Sequence, residues 1–148
     1  MSALDAFLQP IDHTRFEPHA VEAIDLLDPV ARQVLAELNE DLLLGSGNVT
    51  ASGMTRSPDG GTEALWQLSW PEQATAKVEP ITIRAHYGRA FHHPHLAGGT
   101  VGDWPLNVFN SDQATAELPT LRTIAAADLH NLVFQADFRI VPATTSQI

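Results

Sequence analysis

Cysteine is absent from this chain. That excludes disulfides, thiolate zinc sites, iron–sulfur clusters and cysteine nucleophiles, and it is neutral on compartment. Lysine occurs once, at Lys77, and basic residues number 8 against 18 acidic ones, a formal charge of −10. A chain this acidic repels a phosphate backbone and anionic lipid headgroups, which argues against nucleic acid and membrane surfaces as partners. No stretch of about 18 apolar residues occurs, so no membrane-spanning helix is expected. No basic segment followed by an apolar run opens the sequence, which predicts no signal peptide and a cytoplasmic protein.

What is present suits one globular domain over residues 1–148, with 1–18 as an N-terminal arm and 142–148 as a loose tail. Apolar residues make up 44% of the chain, enough for a core, while the charged share of 18% is low. The acid is uneven: residues 1–41 hold nine acidic side chains against Arg15 and Arg32.

In the arm, Ser2 can cap a short turn carrying Leu4, Phe7 and Leu8, and Pro10 stops it. Pro18 suits a first helical position, with Val21, Ile24 and Leu27 on one line. Asp28-Pro29 reads as a restart, with Asp28 as N-cap. Val30, Val34, Leu38 and Leu42 then recur four apart, predicting a helix over 29–44 that ends before Gly45. Residues 48–56 and 63–70 pair as a hairpin around Ser57-Pro58-Asp59-Gly60-Gly61. In its second strand Ala64, Trp66, Leu68 and Trp70 face the core. Residues 71–80 read as a polar connection. Ile81–Tyr87 alternates as a third strand, with Ile81, Ile83, Ala85 and Tyr87 on one face and Thr82, Arg84 and His86 on the other. Leu106–Phe109 is expected as a fourth strand and 137–141 as a last one. Between them, a turn is expected at Ser111 or Asp112. A stripe of Leu121, Ile124, Ala125, Leu129, Leu132, Val133 and Ala136 predicts a helix over 120–135. Helix, strands, then helix is the order of an α+β fold: an antiparallel sheet of three to five strands with both helices on one face.

The segment from Phe91 to Pro105 carries the chemistry. Three of the seven histidines, His92, His93 and His95, fall within four positions, followed by Gly98, Gly99 and Gly102, then Asp103. In extended chain His93 and His95 point the same way, stiffened by Pro94. Imidazole is a common ligand of divalent transition metals, so His93 and His95 with Asp103 make one candidate metal site. His86, His92, Asp128 and His130 are further candidates for the third ligand. Asp128 and His130 are two apart on a helix and do not share a face. No glutamate follows His95 at the spacing of iron or zinc barrels, and no His-Glu-x-x-His is present.

A metal-free reading uses the same place. Arg84 and Arg89 flank His86 and Tyr87. With His92 they form a candidate site for a small anionic ligand, and the amides of 98–102 are further donors. A histidine oriented by Asp103 or Asp128 would serve acid–base chemistry, but no serine stands in a nucleophile's context. Plain structural readings stand beside these: histidines bonded to backbone, arginines paired with nearby acids. The chain thus admits an anion-binding domain, a metal-dependent enzyme, or an assembly protein whose acidic helical N-terminus meets a partner or a second copy.

The order helix, strand meander, His-Pro-x segment (Phe91 to Leu96) and helix resembles that of ubiquitin-conjugating-like domains. Those enzymes carry a thioester cysteine, which has no counterpart here, so the resemblance implies architecture and excludes ubiquitin transfer.

Overall fold

A computed structural model describes residues 18–58, 60–88 and 94–141. The N-terminal arm, the tail, and the candidate residues Arg89, His92 and His93 lie outside the described residues.

Helix α1 (Pro18–Leu42) is one continuous helix with Pro29 inside it. Asp28 is therefore no N-cap. Its carboxylate accepts the Trp66 indole N–H at 2.9 Å and the Arg32 Nε–H at 2.9 Å. The first of these ties the middle of the helix to the sheet. Burial of Ala20, Ala23, Ile24, Leu27, Val30, Ala31, Val34 and Leu35 forms one stripe across the proline, and that packing outweighs the hydrogen bond Pro29 cannot make. The helix stops at Leu42, short of position 44. Leu44 and Gly45 take positive φ, and Asn39 reaches forward to hold both polar groups of Gly47.

The strands are β1 (Asn48–Ala51), β2 (Thr55–Arg56), β3 (Thr62–Ser69), β4 (Ile81–Tyr87), β5 (His95–Gly98) and β6 (Gly102–Pro105). They form an antiparallel sheet in the order β1-β3-β4-β5-β6, with β2 also beside β3. The expected hairpin is present, with its outgoing strand split at Ser52-Gly53. There the Ser52 hydroxyl accepts the Leu65 N–H at 2.9 Å in place of a ladder carbonyl. Buried and half-buried residues alternate strictly along β3, with Ala64, Trp66 and Leu68 inward as expected. Short helix α2 (Pro71–Ala76) replaces the expected loop. Gln73 closes its first turn by accepting the Trp70 N–H.

The later strands differ from the sequence reading. Leu106–Phe109 is not a strand; Leu106 and Val108 are buried in an irregular segment, so their alternation records burial without pairing. The pairing falls instead within the histidine–glycine segment, as β5 and β6. Helix α3 (Ser111–Ala116) begins where a turn was expected, capped by Asn110, whose side chain accepts the Gln113 N–H at 2.8 Å. Helix α4 (Leu118–Gln135) carries Leu121, Ile124, Ala125 and Leu132 into the core. Residues 137–141 form turns, not a strand. Ile140 is buried there and its carbonyl accepts the Trp70 indole N–H at 2.7 Å. Helices α1 and α4 pack on the face bearing Ala64, Trp66, Leu68, Ile81, Ile83, Ala85 and Leu96. No helix of the described residues is long and apolar enough to cross a membrane.

Helix α4 ends in a Schellman motif. The Phe138 N–H donates to Val133 O at 2.8 Å and the Asp137 N–H to Phe134 O at 3.1 Å. Asp137 and Phe138 have positive φ, 53° and 64° in that order, at a cost of about 1 kcal/mol each for a side chain with a β-carbon. Asp137→Gly should therefore raise stability by about 0.5–1 kcal/mol, read as a higher urea midpoint at unchanged slope.

Two carboxyls titrate in opposite senses. The Arg122 guanidinium, with help from Gln33, holds the Glu37 carboxyl below the usual range. Its contribution is present above that range and fades as pH falls through the lowered value. Burial pushes the Glu117 carboxyl up. The folded chain then holds that proton more tightly, so stability declines as pH rises through the shifted value. Glu117→Gln should stabilise the protein at pH 7 and show no gain below about pH 4, where the carboxyl is protonated in both states. Melting temperatures across this range check it.

Candidate functional site

The sheet has one face against the helices and one turned away from them. Register fixes what shares the second face. Glu63, His86 and His95 lie in one row across β3, β4 and β5, and Leu65, Arg84 and Ala97 in the next. Cross-strand neighbours have β-carbons about 4.5–5.5 Å apart. Arg84, His86 and His95 thus share one patch. Arg84 is exposed, while both imidazoles are half-buried. The His86 Nε2 lies 3.3 Å from the Ser57 hydroxyl, which the β2–β3 turn presents from below the surface. Ser57 is 29 positions from His86 and carries no motif, so only the fold reveals that contact.

Asp103 sits apart. It is exposed on edge strand β6, where Ala97 pairs with Gly102 and Leu96 with Trp104, leaving it at the register shift. Among the described residues no three His, Asp or Glu side chains are grouped to hold a metal ion. The metal set named from the sequence also contains His93, outside the described residues.

Asp128, a candidate metal ligand or acid–base partner in the sequence, has another role. It is fully buried on the inner face of α4. Its Oδ2 accepts the Thr82 N–H at 2.9 Å, and its Oδ1 accepts both the Thr100 N–H at 2.7 Å and the Thr100 hydroxyl at 2.5 Å. Asn131 adds a bond to that hydroxyl at 3.1 Å. Thr82 lies one residue beyond the last β4–β5 pair, Ile83 with Gly98. Its N–H has no strand to bond, and the carboxylate replaces one. The glycine segment was expected to offer its amides to an external anion. The Thr100 amide is instead taken by the protein's own carboxylate, and the Gly98 N–H by Val101 O at 2.6 Å. A β-carbon on Gly99 would stand 3.3 Å from Asp128 Oδ2, and one on Gly98 would stand 2.7 Å from the Val101 side chain. These glycines allow close approach. An acid among Ile124, Ala125 and Leu132 on an apolar stripe was the signal in the sequence for a buried, bonded carboxylate.

Beside this clamp is a cavity of about 360 Å³, lined among others by Glu79, Thr82, Thr100, Asp128, Leu132 and Gln135. It includes none of Arg84, His86 and His95. His130 points away from Asp128, as their spacing requires, and its ring centroid lies 4.6 Å from that of Phe134. His19, not singled out in the sequence, stacks on Phe109 at 4.3 Å and meets the Tyr87 ring edge-on at 6.0 Å. That places it at the Tyr87 end of β4.

Compared with protein-family models, curated proteins and solved structures, the chain matches none.

Asp128→Ala should cost about 2–3 kcal/mol, because it takes the acceptor from the Thr82 and Thr100 amides and the Thr100 hydroxyl at a partly buried site. Thr100→Val should cost about 1–2 kcal/mol by removing one of those bonds. Urea unfolding measures both; an Asp128→Ala protein within about 1 kcal/mol of the parent would show that the clamp is not what holds the segment.

Proposed function

We propose a cytoplasmic domain that binds a small anionic ligand on the outward face of the sheet, at Arg84, His86 and His95. Arg89 and His92, which follow β4 in the sequence, are the further candidate donors. The observation that carries this reading is the register: His86 opposite His95, with Arg84 two positions along on the same side. Guanidinium forks match carboxylate and phosphate oxygens, and imidazole N–H groups add directed donors. In a chain of net charge −10 this is a local excess of cationic and donor nitrogen. Glu63, the neighbour of His86 on β3, is the acid of the same row. An anion is therefore favoured on the β4–β5 side.

The same pair of imidazoles favours a second reading, a divalent transition metal held by His86, His95 and His93. An element scan of purified protein, repeated on His95→Ala, separates the two. Bound zinc, nickel or iron that disappears in the variant would replace the anion reading.

Phosphate or citrate at a hundredfold excess over its dissociation constant should stabilise the protein by about 2.7 kcal/mol. In a chain of this size that is a rise of several degrees in melting temperature. Chloride at matched ionic strength should not reproduce it, and Arg84→Ala should abolish it. An equal shift in Arg84→Ala would end the proposal, since salts that strengthen burial act without a site.

A further inference from the structure

Asp128, Leu132 and Gln135 recur at the spacing that puts helix side chains on one face. That face of α4 lines the cavity of about 360 Å³, together with Glu79 and Pro80 before β4 and Gly99 after β5. A volume of this order suits a small molecule. Asp128 and Leu132 are buried, while Glu79, Gly99 and Gln135 are exposed. The floor is therefore a carboxylate beside an apolar side chain. The mouth carries a second carboxylate and an amide.

The floor carboxylate lacks a counter-charge. Its bonds from Thr82 and Thr100 all come from neutral donors. Among the described residues no arginine, lysine or histidine forms an ion pair with it. Buried charges are ordinarily paired with the opposite sign. A carboxylate offers about four acceptor positions, and here Oδ2 accepts one bond, from Thr82. A β-carbon on Gly99 would stand 3.3 Å from that same oxygen. Glycine thus leaves open the space beside the uncommitted position. No basic side chain lines the cavity.

We propose that this cavity binds a small protonated aliphatic amine. Its ammonium group donates to Asp128 Oδ2 and supplies the missing positive charge. Its methylene stem lies against Leu132 and Pro80, as lysine stems lie on apolar surface. Glu79 at the mouth draws a second ammonium group, so a diamine binds more tightly than a monoamine. A calcium ion would need about six oxygen ligands, and the apolar wall offers it none. The cavity includes none of Arg84, His86 and His95, so this site is independent of the outward face of the sheet.

The test titrates the ¹⁵N-labelled full chain with 1,4-diaminobutane at fixed ionic strength and follows amide signals. Saturable shifts at Thr82, Gly99 and Thr100 are expected, and neutral 1,4-butanediol should not produce them. Glu79→Gln, at an exposed position, should weaken binding about tenfold, the worth of roughly 1.4 kcal/mol. Gly99→Ala, which fills the space beside Oδ2, should weaken it by at least as much. Melting temperatures and the unperturbed remainder of each spectrum confirm that the variants fold. Glu40→Gln/Asp41→Asn, which removes two charges from α1, should leave the affinity unchanged. Equal affinity in Glu79→Gln and the parent would reduce the attraction to net charge and overturn the proposal. Shifts confined to the acidic face of α1 would overturn it too, as would tighter binding of calcium than of the diamine at the same amides.

Discussion

The Asp128 carboxylate is the interaction on which the middle of the molecule depends. It lies on the buried side of α4 and binds the first unpaired amide of β4 and the amide and hydroxyl of Thr100. Three separate elements therefore converge on one buried group. Low dielectric makes such a set strong when complete and expensive when broken. The return from β5 to β6 is anchored by it, and with that return the position of β5 beside β4. The opposition of His95 to His86 follows from the same placement.

This arrangement also divides the two sides of the sheet. Inward positions of β3, β4 and β5 are filled by Trp66, Leu68, Ile81, Ile83 and Leu96, and the indole of Trp66 is tied to Asp28 on α1. Outward positions carry the side chains able to meet a solute. What the outer face offers is then set by Arg84, His86 and His95, with Glu63 at one end of their row.

The C-terminal end of α4 works by a different economy. Its aromatic side chains gather on the surface, held there by two left-handed residues that are not glycine. The cost is accepted where the backbone must both close the helix and send Ile140 back to the core beside Trp70.

The sequence by itself determined the alternation of β3 and β4, the apolar stripes of the helical segments after Pro29 and after Pro119, the hairpin at Ser57–Gly61 and the α+β class. Each is a local periodicity of 2 or 3.6 residues or a turn with fixed residue preferences, legible without knowing the partner. It also placed Arg84 and His86 on the outward side. Tertiary structure decided the rest. Pro29 reads as a break because a lone helix loses a bond there, yet packing on the sheet carries α1 through it. Residues 95–105 read as loop because glycine and proline punctuate them, and only the edge of β4 makes two strands of them. Leu106 and Val108 alternate like a strand but meet no strand. Asp128 looked like a free ligand until Thr82 and Thr100, 46 and 28 positions away, took its oxygens. Pairing across such separations depends on which elements meet, and no local pattern records that.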